Sequence, residues 1–162
     1  MDNNLIKRIE FEINEIDTLF KEYELFFADM NYEEPDLVQK TVMSNILHSF
    51  YTGLENIFKR ISKDFDYINI VGEGSHRALL NNVYNRNNKR EAIIDEETYN
   101  LLDEYRKFRH FFRHGYSFQL DWERIKPLSD TLFDLWEKLK EQLYTFIDSL
   151  NEKDEEENKT DN

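Results

Sequence analysis

The chain contains no cysteine. That absence excludes disulfides, thiolate zinc sites and a cysteine nucleophile together, and it fits a reducing cytoplasm, the location expected for this protein. Proline and glycine are scarce, with 2 and 4 residues among 162. So few breakers favour long uninterrupted helices over a turn-rich β fold. The longest apolar runs are a few residues, against about 20 needed to span a bilayer, so no membrane segment is expected. The opening MDNNLIKRIEFEINE has neither the basic start nor the apolar centre of a signal peptide, so none is expected. Positive charge is short as well: 21 Lys and Arg against 34 Asp and Glu leave a net charge of -13. Such a chain repels nucleic acid as a whole, so any RNA binding needs a local positive patch.

What is present is apolar periodicity. Hydrophobic residues make up 40% of the chain and aromatics 15%, enough for one core. The length suits a single compact domain, expected over 1–150. Residues 151–162 form an acidic tail, expected to be disordered. Ile6, Ile9, Ile13, Ile16, Phe20 and Tyr23 recur at spacings of three and four and predict a first helix over about Asn3 to Ala28. Glu33-Glu34-Pro35-Asp36 reads as the start of a second helix carrying Leu37, Val42, Ile46, Phe50, Leu54, Ile57, Ile61 and Phe65. The pattern breaks after Asp66, and Ile68 to Gly72 reads as a loop. A short helix is predicted over Ser75 to Tyr84. Asn85 to Arg90 is polar and reads as a surface loop. Asp95 is the expected N-cap of the next helix, with Glu96 and Glu97 in its first turn. Gly115 is the expected left-handed stop. The last helix begins near Asp121, with Trp122, Ile125, Leu128, Leu132, Leu135, Trp136, Leu139 and Leu143 on its apolar face. The predicted fold is all-α: an antiparallel bundle of four long helices plus one short helix.

The stretch from Arg106 to Tyr116 departs from this acidic background. It gathers Arg106, Lys107, Arg109 and Arg113, with His110 and His114 four residues apart on one face. The local patch that the net charge demands is therefore present. Its residue types suit RNA cleavage by the substrate's own 2'-hydroxyl. Histidine moves protons near neutral pH, and the planar arginine fork stabilises charge building on phosphorus. No metal or cofactor is needed, because the nucleophile is already in the substrate; the 2'-OH also selects RNA over DNA. Geometry complicates the pairing. At about 100° per residue, Arg109 and His114 stand roughly 140° apart on a straight helix. Three solutions stay open: a bend before Gly115, an Arg109 side chain that wraps around the helix, or a dimer cleft lined from both copies. Against these stands the plainer reading that basic residues merely complement a helix C-terminus.

At Arg109-His110-Phe111-Phe112-Arg113-His114-Gly115-Tyr116 the chain resembles the HEPN superfamily, whose pattern is Arg, four residues, His. The extension by one residue and Tyr resembles the HepT-like ribonuclease toxins of HEPN/MNT toxin–antitoxin pairs. The upstream segments Tyr51-Thr52-Gly53-Leu54-Glu55-Asn56-Ile57-Phe58 and Gly72-Glu73-Gly74-Ser75-His76-Arg77-Ala78-Leu79-Leu80 resemble other segments of that branch. The likeness spans about Leu37 to Leu143. Two departures are visible: His110 stands where a polar residue such as Asn is frequent, and Ser75 where Trp often precedes the histidine.

The resemblance implies a metal-independent endoribonuclease acting on RNA, with tRNA as a substrate by family analogy. It implies a homodimer whose active cleft lies at the interface. Its implied partner is a minimal nucleotidyltransferase (MNT) antitoxin that silences the toxin by transferring AMP to the motif tyrosine, here Tyr116. By position, Arg109 becomes the phosphate binder and His114 the proton-transfer residue. His110, Arg113 and Arg106 become helpers, and the division of proton transfer between His110 and His114 is open. Glu55 is a candidate to orient a motif Arg or His across the bundle, against the commoner reading of a partly exposed Glu. His76 is a candidate RNA contact, against a local cap or surface residue. Three other readings compete: a plain structural or interaction bundle, in which the aromatic stripes are only core, and two functional ones. One is a non-catalytic HEPN module that binds nucleotide or a nucleotidyltransferase partner, against which the intact Arg109 and His114 stand. The other is a di-iron bundle using Glu73-x-x-His76, whose spacing occurs once where such bundles use it twice.

Overall fold

A computed structural model describes the backbone of residues 3–160, and the side chains of 4–116 and 118–152. The helices in chain order are α1 (Asn3–Glu22), α2 (Glu24–Asp29), α3 (Leu37–Arg60), α4 (Ser75–Tyr84), α5 (Glu96–His114) and α6 (Trp122–Thr160). No strand occurs among the described residues. The fold is the all-α bundle that the periodicity predicts, with α1, α3, α5 and α6 as the long helices and α4 as the short one. No helix among the described residues is long and apolar enough to cross a membrane.

Helix α3 lies at the centre and packs against α1, α4, α5 and α6. Its start is fixed locally. The Asp36 side chain accepts from the Gln39 amide, and the Gln39 side chain accepts from the Asp36 amide, so two orphan donors are satisfied reciprocally. Pro35 thus precedes the cap. Past Arg60 the chain winds into a π-helical turn, Ile61–Phe65, before the loop at Asp66. The core runs through Phe50, whose ring meets Tyr105 at 5.6 Å and Trp136 at 5.9 Å, both edge-on. The two polar ends are paired: Tyr105 donates to the Leu128 carbonyl at 2.5 Å, and Trp136 Nε1 donates to Asp17 at 2.7 Å. Gly53 lets α1 and α3 approach closely, since a Cβ there would lie 2.8 Å from Ile16 Cγ1.

Several details differ from the sequence reading. The first predicted helix breaks at Tyr23, giving α1 and α2. Gly115 does end α5, but with φ -99° and ψ 161°; it is extended, not left-handed. Its amide closes the helix on the Phe111 carbonyl at 3.0 Å, so the chain leaves straight toward Tyr116 without a reversal. The segment 85–90 is not simply a polar surface loop, because Arg90 is buried and ion-paired to Asp66. Helix α6 runs on to Thr160, through the acidic stretch. The Glu and Lys residues there are good helix formers and no Gly or Pro interrupts them. Leu150 is fully buried, whereas Asn151 and Glu152 are exposed. Residues 161 and 162 of the expected tail lie outside the described residues.

Asp95 caps α5 as the sequence predicts, accepting from the Thr98 amide at 2.8 Å. Burial raises its pKa, but the Thr98 amide and hydroxyl, Lys138 and Gln142 outweigh that and lower it to about 2. The folded chain therefore binds this proton less readily than the unfolded one. The stabilisation is complete above the ordinary Asp pKa of about 3.9 and is lost as pH falls toward 2. Asp95→Ala should cost about 1 kcal/mol by urea denaturation at pH 7, with a smaller difference from the native chain near pH 2.5.

Candidate functional site

The buried carboxylate of Glu55 organises the site. It sits on α3, facing α5, and is 2% exposed. Its Oε1 lies 3.1 Å from Arg109 Nε, and its Oε2 meets His76 Nδ1. The Arg109 N–H does not point along that line, so the contact is an ion pair and not an aligned hydrogen bond. The third side of the triangle joins Arg109 Nη1 to His76 Nε2 at 3.2 Å. Three helices thus contribute one residue each: Glu55 from α3, His76 from α4 and Arg109 from α5. The reading of Glu55 as a partly exposed surface residue is overturned. Its place is set by the core itself, since Tyr51, Leu54 and Phe58 on the same helix are all buried.

Donor and acceptor chemistry assigns the His76 tautomer. A carboxylate only accepts and a guanidinium only donates. His76 Nδ1 must therefore carry the hydrogen given to Glu55, and Nε2 must present its lone pair to Arg109. Arg109 is only 12% exposed and His76 40% exposed. An arginine so far out of water needs its carboxylate; without it the charge would be left uncompensated.

Apart from Phe112, which packs against the core, the remaining motif residues lie outward. Helix α5 is continuous through His114, so it does not break between Arg109 and His114. No hydrogen bond or ion pair joins Arg109 to His114 among the described residues. His110 and His114 are exposed, with ring centroids 4.6 Å apart. Arg113 is exposed too. Arg106 is turned along its own helix to Asp103 at 2.8 Å and does not join the Glu55 cluster. Tyr116 is 72% exposed and stacks on Phe118, with centroids 5.5 Å apart and planes 15° apart. Glu73 does not partner His76, which is turned to Glu55 instead. No group of three or more His, Asp or Glu able to hold a metal ion occurs among the described residues.

Two residues near the site were not picked out from the sequence. His48 packs its ring against Phe112 at 5.3 Å, and its Nε2 is buried without a partner. Burial lowers its pKa, Arg109 and Arg113 push it further down, and Glu55 opposes them. It therefore favours the neutral form beside two guanidinium groups. The Tyr51 hydroxyl is also buried and unpaired, and burial together with Glu55 raises its pKa well above the ordinary phenol value. The signal for both is the spacing on α3: His48, Tyr51 and Glu55 stand three and then four residues apart, on one face.

The described residues form an all-helical bundle with Arg-x-x-x-x-His at the end of one helix, its arginine braced by a carboxylate from the central helix. The profile of the HepT-like protein family matches residues 42–150, from α3 through most of α6. The chain belongs to the HepT-like family of the HEPN superfamily, a family of toxin-type ribonucleases. No curated protein and no solved structure matches it.

Proposed function

We propose that this protein is the toxin of a HEPN/MNT toxin–antitoxin pair, an endoribonuclease that cuts RNA by attack of the 2'-hydroxyl on the adjacent phosphodiester, without a metal or other cofactor. The observation that carries this reading is Arg109. It is the motif arginine, held in place by a buried carboxylate, at the one end of an acidic molecule where Arg113, His110 and His114 also collect. A surface arginine kept for solubility needs no such bracing. Arg109 binds the scissile phosphate and stabilises its developing charge. His114 transfers a proton, with His110 and Arg113 assisting. Transfer RNA is the substrate to test first, on family grounds alone.

The same reading places two copies around one cleft. Arg109 faces inward and His114 outward on a continuous helix, so a His114 from a second copy is the simplest way to bring both groups to one phosphate. Phe111, Tyr116 and Phe118 leave aromatic surface beside the motif for that copy to cover. Localisation is proposed to be cytoplasmic, where RNA and ATP are both present.

The antitoxin partner is a nucleotidyltransferase that transfers AMP from ATP to the Tyr116 hydroxyl. The phenol oxygen attacks the α-phosphorus, diphosphate leaves, and the phenolic proton passes to solvent or to the transferase. The exposure of Tyr116 gives a transferase access. The product brings a phosphodiester anion beside the motif cations and fills space that RNA phosphate would occupy. The purified chain should cut bulk RNA in excess EDTA, and Tyr116→Phe should cut equally well but keep cutting after incubation with the partner and ATP. Mass spectrometry should find AMP on the native chain only. Inhibition by EDTA would count against the metal-free mechanism. Uncut RNA and harmless expression would favour the alternative, a non-catalytic module that binds nucleotide or the transferase.

A further inference from the structure

Cleavage by a 2'-hydroxyl requires two proton transfers. The 2'-oxygen must lose its proton as it attacks phosphorus, and the 5'-oxygen must gain one as it leaves. The reading above supplies one transfer group, His114. The structure assigns the other: we propose that His76 Nε2 is the general base, oriented by Glu55.

The case rests on two contacts. Glu55 is buried and fixes the ring through Nδ1, so that Nε2 is the accepting nitrogen; its lone pair takes an Arg109 hydrogen in the free chain and is released when the guanidinium turns to the phosphate. A carboxylate behind an imidazole holds the tautomer and compensates the imidazolium that forms when Nε2 takes a proton. Nε2 lies 3.2 Å from Arg109 Nη1, so the lone pair points at the group that binds the scissile phosphate. In RNA the attacking 2'-oxygen sits on the ribose carbon next to the one carrying that phosphate. A phosphate seated on Arg109 therefore brings its own 2'-hydroxyl toward Nε2. With His76 40% exposed and Arg109 12% exposed, the histidine edge is the open part of the triangle. The charged groups in contact with His76 are Glu55 from α3 and Arg109 from α5.

The step balances without a further reactant. The 2'-O–H bond breaks and its proton goes to His76 Nε2. A bond forms from the 2'-oxygen to phosphorus as the bond from phosphorus to the 5'-oxygen breaks. The leaving oxygen takes a proton from His114. The products are a 2',3'-cyclic phosphate and a 5'-hydroxyl, and both histidines recover their starting states by exchange with water.

This inference rests on the ribonuclease reading, and the experiment separates the two. Rates of cleavage of a short RNA would be measured from pH 5 to 9 for the native chain and for His76→Gln, His76→Gly, Glu55→Gln and His114→Ala, each checked for native helicity. The native chain should give a bell-shaped kcat/KM profile, falling in acid as the base is protonated. His76→Gln should lower kcat by about 100-fold or more with little change in KM, and should lose the acidic limb. Added imidazole should restore part of the rate in His76→Gly. Glu55→Gln removes the carboxylate that holds the ring through Nδ1, so it too should lower kcat more than it raises KM. If His76→Gln keeps the acidic limb, or raises KM while sparing kcat, His76 only positions Arg109 and the assignment is overturned. If His114→Ala cuts as fast as the native chain, only the His114 role fails; if the native chain leaves the RNA uncut, the ribonuclease reading fails first, and the role of His76 with it.

Discussion

His114→Ala should abolish RNA cleavage, and with it toxicity on expression, while leaving the helical content and unfolding midpoint of the protein unchanged. The size of the effect follows from the work that the residue is asked to do. A positioned proton donor contributes about 10²–10⁴-fold, or about 3–5 kcal/mol of barrier. The absence of a structural penalty follows from its place. His114 is exposed in the last turn of α5, its side chain touches His110, and it lies outside the buried core. The companion substitution His110→Ala decides the division between the two histidines. If His114 transfers the proton, His110→Ala should lose less, because its ring only flanks His114 at 4.6 Å. The measurements are cleavage of tRNA and of bulk RNA, colony counts on induction, and far-UV circular dichroism. Undiminished cleavage by a correctly folded His114→Ala would overturn the assignment. A double loss, of cleavage and of helicity together, would mean that the residue holds the end of α5 in place.

Asp66→Ala should have the largest effect on stability, about 3–5 kcal/mol in urea denaturation. Asp66 and Arg90 form a bidentate pair, with Arg90 Nε 2.9 Å from Oδ1 and Nη2 2.7 Å from Oδ2, and their side chains are 0% and 3% exposed. Every donor of the guanidinium is used: the remaining three reach the carbonyls of Asn82, Asn85 and Glu91. The carboxylate also accepts from Asn82 and Asn87. Truncating Asp66 leaves a buried cation without its anion and two amides without an acceptor. Replacing both partners, as in Asp66→Leu with Arg90→Met, often rescues such pairs, but here it should not do so fully. The three carbonyls that Arg90 serves would still lose their donor. The network also ties the loop after α3 to α4, the helix that carries His76, so cleavage should weaken at temperatures where Asp66→Ala is still mostly folded. A loss below about 1 kcal/mol would show that water already screens the pair.

Why the helices were legible and this network was not is a matter of range. Apolar spacing of three and four is a local signal, repeated over many turns, and it marks α3, α5 and α6 whatever lies opposite them. Caps are equally local: Asp95 and Thr98 are three residues apart, and α4 spans Ser75–Tyr84, the range its short apolar run predicts. The pairing of Asp66 with Arg90 spans 24 residues and two loops. In the sequence Arg90 is one more basic residue in a polar stretch. Only packing takes it out of water. The end of α5 lies between these cases. Gly115 marked the stop correctly, but its backbone angles depend on where the chain must go next, toward Tyr116 and Leu120.

The stretch from Arg109 to Tyr116 stands out in the sequence because basic residues are few and are gathered there. Residue types and spacing by themselves determined that an acidic chain carries one cationic, histidine-bearing island at a helix end, and the motif pointed to the family. They did not determine which residues work together. His114, His110 and Tyr116 face solvent, while Arg109 turns inward to Glu55 and His76, 54 and 33 positions away along the chain. The physical reason is that a buried cation must find its counterion wherever the packing of three helices brings one, and neither propensity nor periodicity along one strand of sequence encodes that meeting.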